Sequence, residues 1–187
     1  MKIIGAIGEN GSGKDEILSY LKSKYNIPFI GTGDIVRSIA QKEGVEPTRS
    51  NLGEISSKYF RQFGKGYFVK LAAEQVEKNR WEVAGISGIR SLEDVTILKD
   101  MLGDNFILVR VMITDPKERY RRMLNRGSDR DPDTFEKFLQ LDENEEKIFH
   151  LEEASRQASF TLTNDGSLED LHNKIDVLVK QINIYAG

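Results

Sequence analysis

The stretch "GENGSGKD", Gly8–Asp15, decides how this chain is read. Its first seven residues fit the pattern G-x-x-x-x-G-K without a gap, and it lies directly after the apolar run "IIGAI", Ile3–Ile7. Phosphate is a compact anion, and a run of backbone N–H groups at a helix N-terminus suits it without sequence-specific side chains. The glycines permit the dihedrals and the close approach of main chain that such a cradle needs. Lys14 then supplies a point charge to the β- and γ-phosphates of a nucleotide. A lone match of this kind is weak, but here it sits between an expected first strand and an amphipathic helix, as the chemistry demands. Gly8, Glu9, Asn10, Gly11, Ser12, Gly13, Lys14 and Asp15 are therefore the expected nucleotide-binding residues. Asp15 is the anomaly, because such loops normally carry serine or threonine after the lysine.

Composition narrows the alternatives. A chain of 187 residues fits a single domain and is long enough to bury roughly 70% of the surface its unfolded form exposes. A formal net charge of −3 argues against a general nucleic-acid binder, which would show a basic excess. With no cysteine, disulfides and thiolate metal sites are excluded. No run approaches the ~18 apolar residues of a membrane span, and the first residues lack the long apolar core of a secretion signal. The expectation is a soluble cytoplasmic protein, monomer or homodimer, that acts on a small molecule.

Apolar runs suited to buried strands alternate with stretches of helical period, the pattern of βαβ units and a parallel sheet. Strands are expected at 2–7, 28–31, 81–86, 106–113 and 159–163. "FILVRVMI", Phe106–Ile113, is nearly continuous in apolar character, as a central strand covered on both faces should be. Helices are well punctuated. Ile17, Leu18, Leu21 and Tyr25 share one face after the loop. Ser91 to Asp94 reads as a capping box. Asp115-Pro116 opens one helix, and Asp131-Pro132 repeats the signal before a charged helix that reaches His150. The last helix starts at Ser167 and carries Leu168, Leu171, Ile175, Leu178 and Ile182. "GSDRD", Gly127–Asp131, is the expected hinge.

Beyond the loop, the chain resembles a known family. "GTGDIVR", Gly31–Arg37, is similar to the "STGDMLR" segment of adenylate kinases and other nucleoside monophosphate kinases, and Thr32 and Arg37 lie 18 and 23 residues after Lys14 as in that family. The resemblance implies that Thr32 and Arg37 belong to the acceptor-nucleotide site. "GISGIRS" resembles the family's "DGFPR" and places Arg90 as an acceptor-phosphate arginine. "DPKERYRRMLNRG" resembles the helix that enters the lid, and "TNDGSLEDL" the loop that borders the donor base. Dephospho-coenzyme A kinases share that last pattern. The resemblance implies an α/β, three-layer P-loop kinase fold with a five-stranded parallel sheet and a helical lid. Such a fold forms one domain over 1–187, with an acceptor-binding helical insertion at about 33–79 and a lid at about 116–150.

The implied reaction is transfer of the γ-phosphoryl group of ATP, with Mg²⁺, to a small phosphorylated acceptor, foremost a nucleoside monophosphate. A dephospho-coenzyme A kinase and a nucleotide-dependent ATPase switch are the alternatives. Phosphoryl transfer spreads charge over equatorial oxygens, so positioning and electrostatic stabilisation dominate catalysis. Arginine suits that work, being planar, permanently charged and able to contact phosphate bidentately. Arg119, Arg122 and Arg126 fall at i, i+3 and i+7, on one helix face, and Arg130 comes next in the hinge. These four are the expected lid cations, with Lys14, Arg90 and Arg126 as the catalytic group. Within the insertion, Arg49, Lys58, Arg61 and Lys65 could reach the acceptor. Tyr59, Phe60, Phe63, Tyr67 and Phe68 read as helical core or as a base-stacking surface. His150 and His172 have no metal-ligand pattern near them.

The metal is the least regular part. Related loops hold Mg²⁺ with a hydroxyl after the lysine and an aspartate near the end of the third strand. Here Asp15 replaces the first and Ser87 the second. The expectation is that the carboxylate has changed sides, Asp15 serving Mg²⁺ directly or through water and Ser87 supporting a ligand water. The alternative is that Asp15 only complements the helix dipole.

Overall fold

Side-chain alternation in the first strand sets up the layers. In β1 (Lys2–Ile7) the residues Ile3 and Ile7 enter one apolar cluster, while Ile4 and Ala6 enter another on the opposite face. All four are buried, as a strand covered on both sides requires. In a computed structural model that describes residues 1–127 and 131–184, β1 lies at the centre of a five-stranded sheet.

The chain runs β1, α1 (Lys14–Tyr25), β2 (Phe29–Gly31), α2 (Thr32–Lys42), α3 (Arg49–Phe63), α4 (Tyr67–Lys78) and β3 (Val83–Ser87). It continues with α5 (Leu92–Leu102), β4 (Phe106–Met112), α6 (Pro116–Arg126), α7 (Phe135–Phe149), α8 (Leu151–Ser155), β5 (Phe160–Thr163) and α9 (Leu168–Gln181). The strand order is β2-β3-β1-β4-β5, and every pairing is parallel. Helices α1 and α9 cover one face through Ile17, Leu18, Leu21, Leu171, Ile175, Leu178 and Val179. Helices α2, α3, α4, α5 and α8 cover the other. Each fully buried Leu or Ile contributes about 1.5–3 kcal/mol. This is the three-layer P-loop kinase fold expected from the sequence.

The order reverses at β1: the chain goes next to β2 and β3 on one side and later to β4 and β5 on the other. Ligands in such sheets bind outside the carboxyl ends of the strands at that switch point. The loop Gly8–Gly13 leaves β1 there.

Several local expectations hold in detail. Ser91 and Asp94 exchange hydrogen bonds as a capping box, as do Ser167 and Asp170. Asp115 caps α6 with Pro116 in its first turn. Two expectations need correction. Helix α7 starts at Phe135, not after Asp131-Pro132. The Thr134 side chain accepts the backbone N–H of Lys137 there, and Asp131 is instead committed to Arg126. Leu168 does not join the buried stripe of α9; it is 58% exposed in the first turn. Arg130 and most of the expected hinge, residues 128–130, lie outside the described residues.

Candidate functional site

The loop between β1 and α1 is shaped by backbone that only glycine accepts easily. Gly13, the N-cap of α1, has φ +90°, and a Cβ there would stand 2.5 Å from Asn164 Nδ2. Asn164 comes directly after β5, is buried, and donates to the Ser12 carbonyl at 2.9 Å. The loop is therefore fastened from beneath by the segment after the last strand. Ser12 N–H donates to the Glu9 carbonyl at 3.2 Å, closing the turn.

A cavity of about 220 Å³ opens above this loop, lined by Gly11, Gly13, Lys14, Asp15, Arg122, Met123 and Arg126. It brings four of the eight expected loop residues and two of the expected lid arginines to one place. Burial is the main cause that pushes the Lys14 ammonium below its usual range, and the nearby charges of Arg90 and Arg126 push the same way. Asp15, more strongly than either arginine, and Glu145 oppose them. Among the described residues the Lys14 ammonium has only the Glu9 carbonyl, at 3.5 Å. A lysine stripped of water with two arginines nearby is a receptor for an anion, since added negative charge offsets the burial.

The arginines of α6 divide into two kinds. Arg122 donates from Nε to Glu118 at 2.8 Å and from Nη2 to the Gly166 carbonyl at 3.0 Å, so it reaches the loop after β5. Arg126 pairs with Asp131 and is half exposed. Both line the cavity while holding these partners. Arg119 is different. It is buried, bonded to both carboxylate oxygens of Asp142 on α7 (3.2 and 2.5 Å), and lies 4.9 Å over the Phe138 ring. Its Nη1 also donates to the Asn10 carbonyl at 3.1 Å. All three residues share the face that meets the loop, as their spacing implied, but Arg119, expected as a lid cation, is buried and fixed among partners.

On the other side of the crevice, Thr32 opens α2 and its hydroxyl donates to the Gly88 carbonyl at 3.5 Å. Arg37 is exposed and pairs with Asp34 at 2.5 Å. With Asp34, Ser38, Gln41 and the 44–47 segment it lines a second cavity of about 760 Å³. Arg90 is exposed at the end of the β3 loop. Its backbone N–H is held by Asp94 at 3.0 Å, and its charge is felt by Lys14. Lys58 is tied to Glu43 and Lys65 to Glu93. Tyr59, Phe60, Tyr67 and Phe68 pack on one another and on the core, with Phe63 stacked on Tyr67 at the surface. His150 ends α7 with φ +50°, and His172 stacks on Tyr20.

The oxygen donors suited to a divalent cation include one that the sequence does not announce. A Cβ on Gly31 would meet Asp34 Oδ2 at 2.5 Å and Ser87 Oγ at 3.1 Å, so these two oxygens flank the ends of β2 and β3 together. Asp34 lies inside "GTGDIVR", where it reads as an ordinary acidic residue in the first turn of a helix. The signal that could have found it is the glycine at the end of β2, which leaves room for a carboxylate from the next helical turn. Asp15 is exposed in the first turn of α1 and makes no capping hydrogen bond. Among the described residues no three histidine, cysteine, aspartate or glutamate side chains gather as a metal cage.

Residues 7–138 match the AAA domain family. Over its length the chain is similar to UPF0200 proteins. The one from Thermococcus kodakarensis is 31% identical over 182 residues, covering 96% of this chain and 97% of the relative. The one from Methanocaldococcus jannaschii is 30% identical over 184 residues, covering 97% and 91%. Among solved structures, shikimate kinase from Bacteroides thetaiotaomicron superposes with a TM-score of 0.62 at 13% identity, covering 98% of this chain and 99% of that one. Shikimate kinase from Acinetobacter baumannii, in complex with shikimate, gives 0.61 at 18% identity, covering 98% and 96%. At such identities the likeness concerns the fold.

Proposed function

The chain belongs to the UPF0200 protein family and contains an AAA domain, and from that premise we propose that it transfers the γ-phosphoryl group of ATP to a small phosphorylated acceptor, foremost a nucleoside monophosphate. The observation that carries the proposal is the cavity of about 220 Å³ in which loop backbone, Lys14, Arg122 and Arg126 converge. Its volume suits phosphoryl groups, and its cations match charge that develops on equatorial oxygens. Loop residues Gly8 to Asp15 hold the donor phosphates. Lys14 bridges them, and Arg126 leaves Asp131 to meet the transferred group. Arg122 covers the donor beside Gly166. Movement of α6 and α7 over the site would exclude water, as a lid of about 116–150 should.

The acceptor occupies the larger cavity beside Arg37, within the insertion of about 33–79. Arg37 and Arg90 take its phosphate from two directions, and Thr32 defines the floor between them. Bringing two anions together is the main electrostatic cost of this reaction, and Arg37, Arg90, Arg126 and Lys14 offset it.

Mg²⁺ favours oxygen and uses one or two carboxylates beside substrate phosphates and water, and the Asp34 and Ser87 oxygens that flank Gly31 are of that kind. Asp15 and Ser87 would hold it, with Asp34 as the carboxylate that reaches the β2–β3 end. When bound, it neutralises phosphate charge and orients the chain of phosphates.

Lys14→Ala tests the reading. A charge-assisted contact is worth about 1.5–3 kcal/mol, so nucleotide affinity should fall by roughly 10- to 150-fold. Thermal unfolding should be little changed or slightly improved, because a partly buried cation is removed. Wild-type affinity in a folded variant would end the phosphate-loop assignment.

A further inference from the structure

Two orphaned polar atoms belong to neighbouring side chains just behind the phosphate loop. Glu9 Oε2 and Arg110 Nε are both buried and have no hydrogen-bond partner among the described residues. Glu9 is the second residue of the loop. Arg110 projects from β4 and is paired in register with Ile7 at the end of β1. The Arg110 guanidinium lies between two carboxylates. Its Nη2 donates to Glu152 Oε2 on α8 at 2.7 Å and stands 3.8 Å from Glu9 Oε1, too far for a hydrogen bond.

A buried donor and a buried acceptor left unpaired are each costly, and here each is the other's natural partner. A small rotation of Arg110 would turn its Nε and Nη2 edge onto Glu9 as a two-bond fork. It would satisfy both orphans and give up Glu152. The two arrangements differ in which carboxylate takes the Nε and Nη2 edge, the edge whose Nε is unpaired. Charge decides between them. Phosphate in the loop adds negative charge on the Glu9 side, and a cation shared between two carboxylates is drawn to the more negative one.

We propose that Arg110 is a positioning residue that exchanges Glu152 for Glu9 when nucleotide fills the loop, and so couples the loop to the α7–α8 segment. The claim rests on the assignment of Gly8–Asp15 as a phosphate loop. Arg119 supplies the fixed point beside this movable one, since it ties the Asn10 carbonyl to Asp142 of α7 in the same direction. Residues 9 and 10 of the loop are thus each joined through an arginine to a carboxylate of the segment after α6. The exchange leaves the Glu152 side chain with Arg156 at 3.5 Å, while its N–H stays held by Glu146 of α7 at 2.9 Å. The short α8 thereby loses a side-chain tie to β4, while the Arg119 link keeps α7 in place.

The test is a double-mutant cycle on nucleotide affinity, with ATP titrated in the presence of Mg²⁺ by calorimetry. Glu152→Gln removes the competing carboxylate and should tighten ATP binding by about 3- to 10-fold. Glu9→Gln removes the other seat, so ATP affinity should no longer respond to a change at Glu152. In Glu9→Gln/Glu152→Gln the gain from the second change should vanish, a non-additivity that independent packing effects do not produce. Hydrogen exchange read on wild-type protein should show faster exchange of amides 151–155 when ATP is bound, and no such change in Glu9→Gln. Additive effects in the cycle, or unchanged exchange in α8, overturn the proposal while leaving the loop assignment intact. Failure of the wild-type protein to bind ATP overturns the loop assignment itself, and the proposal with it.

Discussion

Gly13→Ala converts the geometry of the loop into a number. The residue stands at φ +90°, where an L side chain is strained by about 1–2 kcal/mol. Its new Cβ would also press on Asn164 Nδ2 from 2.5 Å, and the obstacle is not the loose end of a surface chain. Asn164 is buried, and its Nδ2 holds the Ser12 carbonyl at 2.9 Å. Displacing it weakens a buried hydrogen bond, which adds about 1–3 kcal/mol if the groups are left unpaired. The sum is about 2–5 kcal/mol, or a fall in Tm of roughly 4–20 °C for a domain of this length. Gly44→Ala is the matched control. Gly44 also has positive φ, +69°, in the left-handed turn that ends α2, but a Cβ there meets nothing within 4 Å, so only the backbone strain of about 1–2 kcal/mol should appear. The assay is thermal unfolding of the three proteins, with ATP titration of each. Gly13→Ala should lose both stability and affinity, whereas Gly44→Ala should keep its ATP affinity. Equal stability losses in the two variants would refute the claim that Asn164 braces the loop.

Two further substitutions separate the halves of the site. Arg37→Ala should raise the KM for the phosphorylated acceptor by at least about tenfold while ATP affinity stays within about twofold, because Arg37 lines the other cavity and loses only an exposed pair with Asp34; steady-state kinetics with each substrate varied in turn will show it. Asp15→Ala should weaken the Mg²⁺ dependence of turnover more than metal-free nucleotide binding, and Asp15→Ser should recover part of the activity with an altered metal preference. A wild-type magnesium response in Asp15→Ala would leave Asp15 as a dipole complement to α1 and put the metal on Asp34 and Ser87.

The sheet and the starts of α1, α5, α6 and α9 could be read from residues alone because their causes are local. Alternation in Ile3–Ile7 and the apolar run of β4 announce two-sided burial, and the Ser91 and Ser167 capping boxes are complete within four residues. Sites built across the chain were harder to see. Nothing near Asp115 says that Arg119 will be buried, since its partners Asn10 and Asp142 lie 109 and 23 residues away. Asp34 escaped for a similar reason, because its meaning comes from Ser87 across the β2–β3 pair. The false start of α7 at Asp131 has the same origin: its carboxylate reads as a cap, and only the folded chain reveals that Arg126 takes it.

The central claim is a reaction, and one measurement addresses it directly. Purified protein is incubated with ATP, Mg²⁺ and, separately, each common nucleoside monophosphate and dephospho-coenzyme A, and the products are identified by mass. The expected product is a new nucleoside diphosphate formed in step with ADP, with one acceptor clearly preferred and the product absent in Lys14→Ala. Coenzyme A as the product would move the acceptor to a ribose hydroxyl. ADP with free phosphate, unchanged by any acceptor, would contradict the kinase reading and make the chain a nucleotide-hydrolysing switch.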